Sequence, residues 1–296
     1  MSFSAFIGAV EQGFIYSFMV LGLYISFRTL NIADLTSDGS FTLGAAVSAV
    51  MTLAGHPILG IILGGFAGAL AGLLTAFLQT KLKIAPILSG IIVMTALYSI
   101  NLNVMGNRAN ISLLRAETIF TKSKNVLFLL FLIAMGGAAL LFLFFKTRTG
   151  LTVRATGDNA CMVRSSSINP SFTITLGLML ANGCVGLGGG LLAQYQQFCE
   201  ITMGTGVVVL GLASLIIGEV LLLTNRRTSV LKGISASVLG AILYRIIMAA
   251  ALGLNISPQN LKLFSAVIVV LAISYPTIRE HFVFLKTKRE ALQCSD

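Results

Sequence analysis

Uninterrupted apolar runs recur along the whole of this 296-residue sequence. Most are about 20 residues long, the length of helix that crosses a hydrocarbon core about 30 Å thick. A chain in hydrocarbon must satisfy its backbone N–H and C=O groups internally, so a bundle of membrane-spanning helices is the architecture such runs allow. Only 10% of the residues are charged, against about 25% in soluble domains, so water is not the solvent for most of the chain. We read residues 1–296 as one all-α transmembrane domain. The N-terminus has neither the basic region nor the cleavage site of a signal peptide, so the first run is expected to stay as a span.

Nine spans are expected, at residues 6–28, 41–55, 58–79, 84–104, 125–145, 171–193, 207–224, 233–253 and 263–278. The positive-inside rule orients them. Fourteen of the twenty Lys and Arg residues fall on one side: Arg28, Lys81, Lys83, Lys146, Arg148, Arg154, Arg164, Arg226, Arg227, Lys232, Arg279, Lys286, Lys288 and Arg289. The other side receives Arg108, Arg115, Lys122 and Lys124, while Arg245 and Lys262 lie in or beside spans. A multi-pass protein of the cell membrane follows, with the N-terminus outside and the C-terminus in the cytoplasm. The net charge of +10 therefore marks topology and not nucleic-acid binding, since the aromatic residues sit inside apolar spans where no strand could stack.

Several chemistries are excluded by residue type. No lysine follows a glycine, so there is no Walker A loop, and the chain does not hydrolyse ATP by itself. Histidine occurs only at 56 and 281, which rules out a His-Glu-x-x-His helix. Cys161, Cys184, Cys199 and Cys294 share no metal-binding spacing. Residues 188–193 fit a dinucleotide-binding glycine pattern in form, but end an apolar span with no strand before it, so packing is the better account. No metal site and no cofactor are expected in this chain.

Other features speak to packing and transport. Gly60, Gly64, Gly68 and Gly72 recur every four residues and make a smooth ridge for close helix approach, and Gly177, Gly183, Gly186 and Gly190 do the same in the sixth span. Gly39, Leu43 and Gly44 match Gly206, Leu210 and Gly211 at an offset of 167 residues, a weak internal repeat whose copies would be inverted in the membrane, as in many transporters. Glu11, Glu219 and Arg245 lie within spans, where an isolated charge is costly, so each should face protein or water. Glu11 and Arg245 are placed to pair, and Glu219 to snorkel. The polar link at residues 31–40 carries Asp34 and Asp38, with Asp38 or Ser40 suited to cap the next helix. Asp34, Asp38 and Arg245 are the candidate residues of a translocation path.

The link at residues 146–170 is the longest expected on the cytoplasmic side. Gly157 permits a turn, Asp158 or Asn159 can cap, 160–166 can form two helical turns, and Pro170 restarts the chain as the sixth span. A surface helix for docking a cytosolic partner and a plain solvated loop both satisfy this pattern.

Thr147, Gly150, Arg154, Ala155, Gly157 and Asn159 match a loop pattern Thr-x-x-Gly-x-x-x-Arg-Ala-x-Gly-x-Asn. Through it the chain resembles the permease subunits of ABC importers of the branched-chain amino acid and ribose type. The resemblance extends through residues 31–46 and 176–218, and the wording of residues 31–40 is nearest to a subgroup linked to aromatic amino acid uptake. Val163 and Ser167 depart from the family's usual alanine and glycine, and are expected to enlarge the docking surface. The resemblance implies a homodimer or pseudo-symmetric pair around a central pathway, two cytosolic ATPase subunits that hold ATP and Mg, and an extracytoplasmic substrate-binding protein. It also implies that Arg154, Gly157, Asp158, Asn159 and Arg164 form the element coupling permease to ATPase. An ion-coupled secondary carrier would suit the repeat too, but would want ionisable groups near the midplane, where Arg245 alone comes close. An intramembrane enzyme would want paired catalytic groups, and none is seen.

Overall fold

The computed structural model describes residues 3–121, 125–222 and 229–253, with the single positions 263, 266, 267, 270 and 274. The first helix, α1 (Phe3–Leu23), continues into a π-helical turn (Tyr24–Thr29). After it come α2 (Thr36–Leu53), α3 (Pro57–Thr80), α4 (Pro86–Val104), β1 (Asn110–Ser112), α5 (Val126–Lys146), α6 (Arg148–Asp158) and α7 (Ala160–Ser165). The chain closes with α8 (Pro170–Gln196), β2 (Phe198–Glu200), α9 (Val207–Leu222) and α10 (Val230–Gly253). Six helices are long and apolar enough to cross a membrane: α1 with its π-turn, α3, α4, α5, α8 and α10. The protein is a polytopic helical bundle. Eight of the nine expected runs coincide with helices, and the ninth, at 263–278, lies outside the described residues apart from the five single positions.

Large apolar side chains face outward, Leu140 at 70% exposure among them, which suits hydrocarbon and not water as the surrounding solvent. The interior is built on small residues. Along α3, Gly60 and Gly64 meet Ser48 and Gly44 of α2, while Gly68 and Gly72 meet Asn182 and Leu178 of α8. A Cβ on Gly64 would stand 2.7 Å from the Gly44 carbonyl oxygen, and one on Gly186 would stand 2.6 Å from that of Gly64. Backbone therefore rests on backbone across α2, α3 and α8, where dispersion contacts and not water exclusion hold helices together. Residues 188–190 lie inside α8 and pack on α1 and α2, so this glycine cluster serves packing.

The two ends of the bundle differ. One carries Arg28, Lys81, Lys146 and the helices α6 and α7. At the other, β1 and β2 pair antiparallel, Ile111 opposite Cys199, and both central residues are buried against α2 and the end of α8. Burial, with Glu200 alongside, pushes the Cys199 thiol up to about 12, so this cysteine is an inert core residue. Cys161 and Cys184 are also free, and no His/Cys/Asp/Glu cluster suited to a metal occurs among the described residues.

Candidate functional site

Two helices begin inside the bundle, and their starts meet. Past the π-turn, Asn31 takes a left-handed backbone (φ 56°) and the chain folds back. α2 then starts at Thr36, whose hydroxyl lies 2.7 Å from that of Thr75. Thr75 is five residues before the end of α3, so this start is about 8 Å short of the basic end at 1.5 Å per residue.

Asp34 is fully buried there. Thr36 N–H donates to Asp34 Oδ1 at 2.9 Å and Asn182 Nδ2 donates to Asp34 Oδ2 at 2.6 Å. Ser40 Oγ donates to Asn182 Oδ1 at 2.8 Å, completing a network that joins the link, α2, α3 and α8. Such a network is tolerable in a low-dielectric interior because each of these polar atoms has a partner. Asn182 is a polar residue in a glycine-rich span, and that oddity was the signal available in the sequence for a member of this cluster.

Asp38 does not cap its own helix. The residue before α2 is Leu35, which makes no side-chain cap. The Asp38 carboxylate instead accepts from Gly206 N at 2.9 Å and from Val208 N at 2.8 Å, so it caps α9, 168 and 170 residues further on. Gly206 (φ 82°) makes the turn into α9, and Gly204 N donates to Thr42 Oγ1 at 3.0 Å. A carboxylate at a helix N-terminus satisfies otherwise orphaned N–H groups and complements the helix dipole. Ser40, the other expected cap, is committed to Asn182. Local spacing could not reveal a cap supplied from another helix.

Glu11 and Arg245 are not paired with each other. The Tyr195 hydroxyl donates to Glu11 Oε2 at 2.8 Å, and the Arg245 guanidinium carbon lies 3.6 Å from the centre of the Tyr16 ring. Each long side chain has met an aromatic neighbour before reaching the other. Among the described residues the ion pair is Arg28–Glu219, which fastens the π-turn to α9, so Glu219 is paired and not merely snorkelling. Asp34 and Asp38 flank the helix junction, whereas Arg245 lies on α10 about 12 Å from its Gly253 end.

The motif at residues 147–159 forms a helix, α6, where a turn and a cap were expected. Thr147 Oγ1 accepts from Gly150 N and caps it. Gly150 lies against the Phe144 carbonyl and Gly157 against that of Thr29, with no room for a Cβ at either. Gly157 thus allows close approach and does not supply a turn. Asn159 caps α7, its Oδ1 accepting from Cys161 N at 3.0 Å and Met162 N at 3.1 Å. Asp158 closes α6 and is exposed, Arg164 is exposed on α7, and Arg154 is half-buried. Val163 is buried, so it adds nothing to the outer surface. Ser167 adopts φ 60°, a left-handed geometry that explains the family's usual glycine.

A family model described as branched-chain amino acid transport system / permease component matches residues 6–274. A tyrosine transport system permease protein of Clostridioides difficile is 37% identical over 268 residues, 90% of this chain and 90% of that protein. An uncharacterized protein of Rickettsia prowazekii is 35% identical over 271 residues, 90% of this chain and 96% of that one. No solved structure matches the chain.

Proposed function

This chain belongs to the family of branched-chain amino acid transport system permease components, and from that membership we infer the machine in which it works. It is the transmembrane permease subunit of an amino acid uptake system. We propose an ATP-driven importer with two copies of this chain, two cytosolic ATPase subunits holding ATP and Mg, and an external substrate-binding protein. The substrate is an aromatic amino acid, in keeping with the tyrosine system of the C. difficile relative. Nine crossings, an external N-terminus and a cytoplasmic C-terminus complete the reading, with α6 and α7 facing the ATPases.

The observation that carries the ATP-driven reading is the helix pair at the basic end. α6 is seated on the bundle through Gly150 and Gly157, while α7 offers Arg164 outward. A push on α7 reaches the π-turn through the contact of Gly157 with Thr29, and α9 through Arg28–Glu219. α2 and α9 begin side by side at Asp38, which supports the inverted repeat, since opposed half-helix starts are where such repeats place substrate paths. Asp34 and Asp38 would then frame that path.

The test is uptake of labelled tyrosine into vesicles holding the full complex. ATP should drive accumulation in the absence of any ion gradient. Uptake driven by a sodium or proton gradient with ATP absent would instead make the protein a secondary carrier.

A further inference from the structure

Among the described residues, Arg245 is a cation within a span that has no carboxylate partner. It is half-buried within α10, and its Nε is buried with no hydrogen-bond partner among the described residues. The described carboxylates of the interior are engaged elsewhere: Glu11 by Tyr195, Asp34 by Asn182 and Thr36, Asp38 by the start of α9, and Glu219 by Arg28. A guanidinium cannot shed its proton as a lysine can, so it must be stabilised as a cation. Facing lipid it would be costly, so its half-exposed side belongs to water or to a ligand.

Its fixed neighbour is aromatic. The guanidinium lies 3.6 Å from the centroid of the Tyr16 ring, and Tyr16 is itself stacked on Phe41, centroids 6.1 Å apart at 30°. A ring this close covers one side of the guanidinium carbon, while the N–H donors lie in the plane of the group. That fork matches the two oxygens of a carboxylate, and the tyrosine beneath holds it at little cost in side-chain freedom.

We propose that Arg245, supported by Tyr16, is the contact for the α-carboxylate of the transported amino acid inside the permease. The proposal rests on the amino acid uptake reading above. Arg245 binds the carboxylate weakly and in transit. The external binding protein sets the KM, and this contact sets how fast solute passes.

The experiment measures ATP-driven tyrosine uptake by the reconstituted full complex, normalised to folded permease, for Arg245→Gln, Arg245→Lys, Tyr16→Phe and Tyr16→Leu. Wild-type uptake is established first, and its absence would defeat the uptake reading and not this contact. Arg245→Gln is expected to lose at least tenfold in maximal rate with KM within about twofold. Arg245→Lys, which keeps the charge and loses the fork, falls at least threefold. Tyr16→Phe keeps its rate because the ring is retained, and Tyr16→Leu drops severalfold. Binding-protein-stimulated ATP hydrolysis persists in Arg245→Gln, a result that general loss of structure would not give. A folded Arg245→Gln complex with wild-type uptake overturns the proposal. So does dissociation of the permease pair in that variant, which would assign the matching carboxylate to the second copy. If Arg245→Gln fails to insert, Arg245→Lys decides: wild-type uptake overturns the proposal and a loss of threefold or more supports it.

Discussion

Removing the Asp38 carboxylate leaves two backbone N–H groups at the half-buried start of α9 without their acceptor. Hydrogen bonds to a charged group contribute about 1.5–3 kcal/mol each, and a buried donor left unpaired adds its desolvation cost. Asp38→Ala should therefore destabilise the detergent-solubilised protein by about 2–4 kcal/mol, while Asp38→Asn, which keeps an acceptor, should cost less than half of that. Thermal unfolding of the two variants checks the order, and equal stability of wild type and Asp38→Ala would show that the cap contributes nothing. At this scale the sequence was legible in kind but not in partner. Carboxylates in a polar link announced caps and buried contacts, yet nothing near Asp38 names Gly206 and Val208, because the spacing between them is set by the bundle. For Glu11 and Arg245 the limit is similar: that each lies within a span and turns from lipid was evident, but which of several neighbours each would reach depends on side-chain reach and packing.

At the scale of elements, the glycines at four-residue spacing in α3 did announce their role, because a ridge without side chains has a clear physical use in a membrane. The link at residues 146–170 was harder. Its Gly157 suggests a turn, whereas Gly157 and Gly150 both sit inside α6 where backbones touch, and a glycine chosen for closeness looks the same in sequence as one chosen for φ. Two substitutions separate seating from signalling. Arg164 is exposed, so Arg164→Glu should leave the folded yield and thermal stability of the permease unchanged while abolishing substrate-stimulated ATP hydrolysis and uptake. Gly157→Val should fail in a second way, since its side chain drives α6 off the Thr29 carbonyl and costs about 1–3 kcal/mol as overpacking does. Full stimulated hydrolysis by the Arg164→Glu complex would remove α7 from the coupling route.

For the whole molecule, orientation is the property most open to a direct test. In a cysteine-free background in intact cells, Asn110→Cys in β1 should react with an impermeant thiol reagent and Ser165→Cys in α7 should not; the reverse pattern would invert the assignment. That the chain is a bundle of apolar helices could be read from its apolar runs, but that α2 and α9 start within the bundle could not, since a run of apolar residues says nothing about the depth at which a helix begins. That arrangement also bears on how the protein is made. α2 is not among the helices apolar enough to cross alone, and it emerges from the ribosome with Asp34 and Asp38 while their partners Asn182, Gly206 and Val208 are still 148–170 residues from synthesis. At elongation rates of about 5–20 residues per second, the wait is roughly 10–30 s. An aspartate at the centre of a helix in hydrocarbon costs about 2.5–3.5 kcal/mol, and Asp34 and Asp38 stand at the start of α2, where the cost is smaller. The polar start of α2 therefore gains these partners only once α8 and α9 have been made. The core of the permease thus closes around a segment made long before its partners.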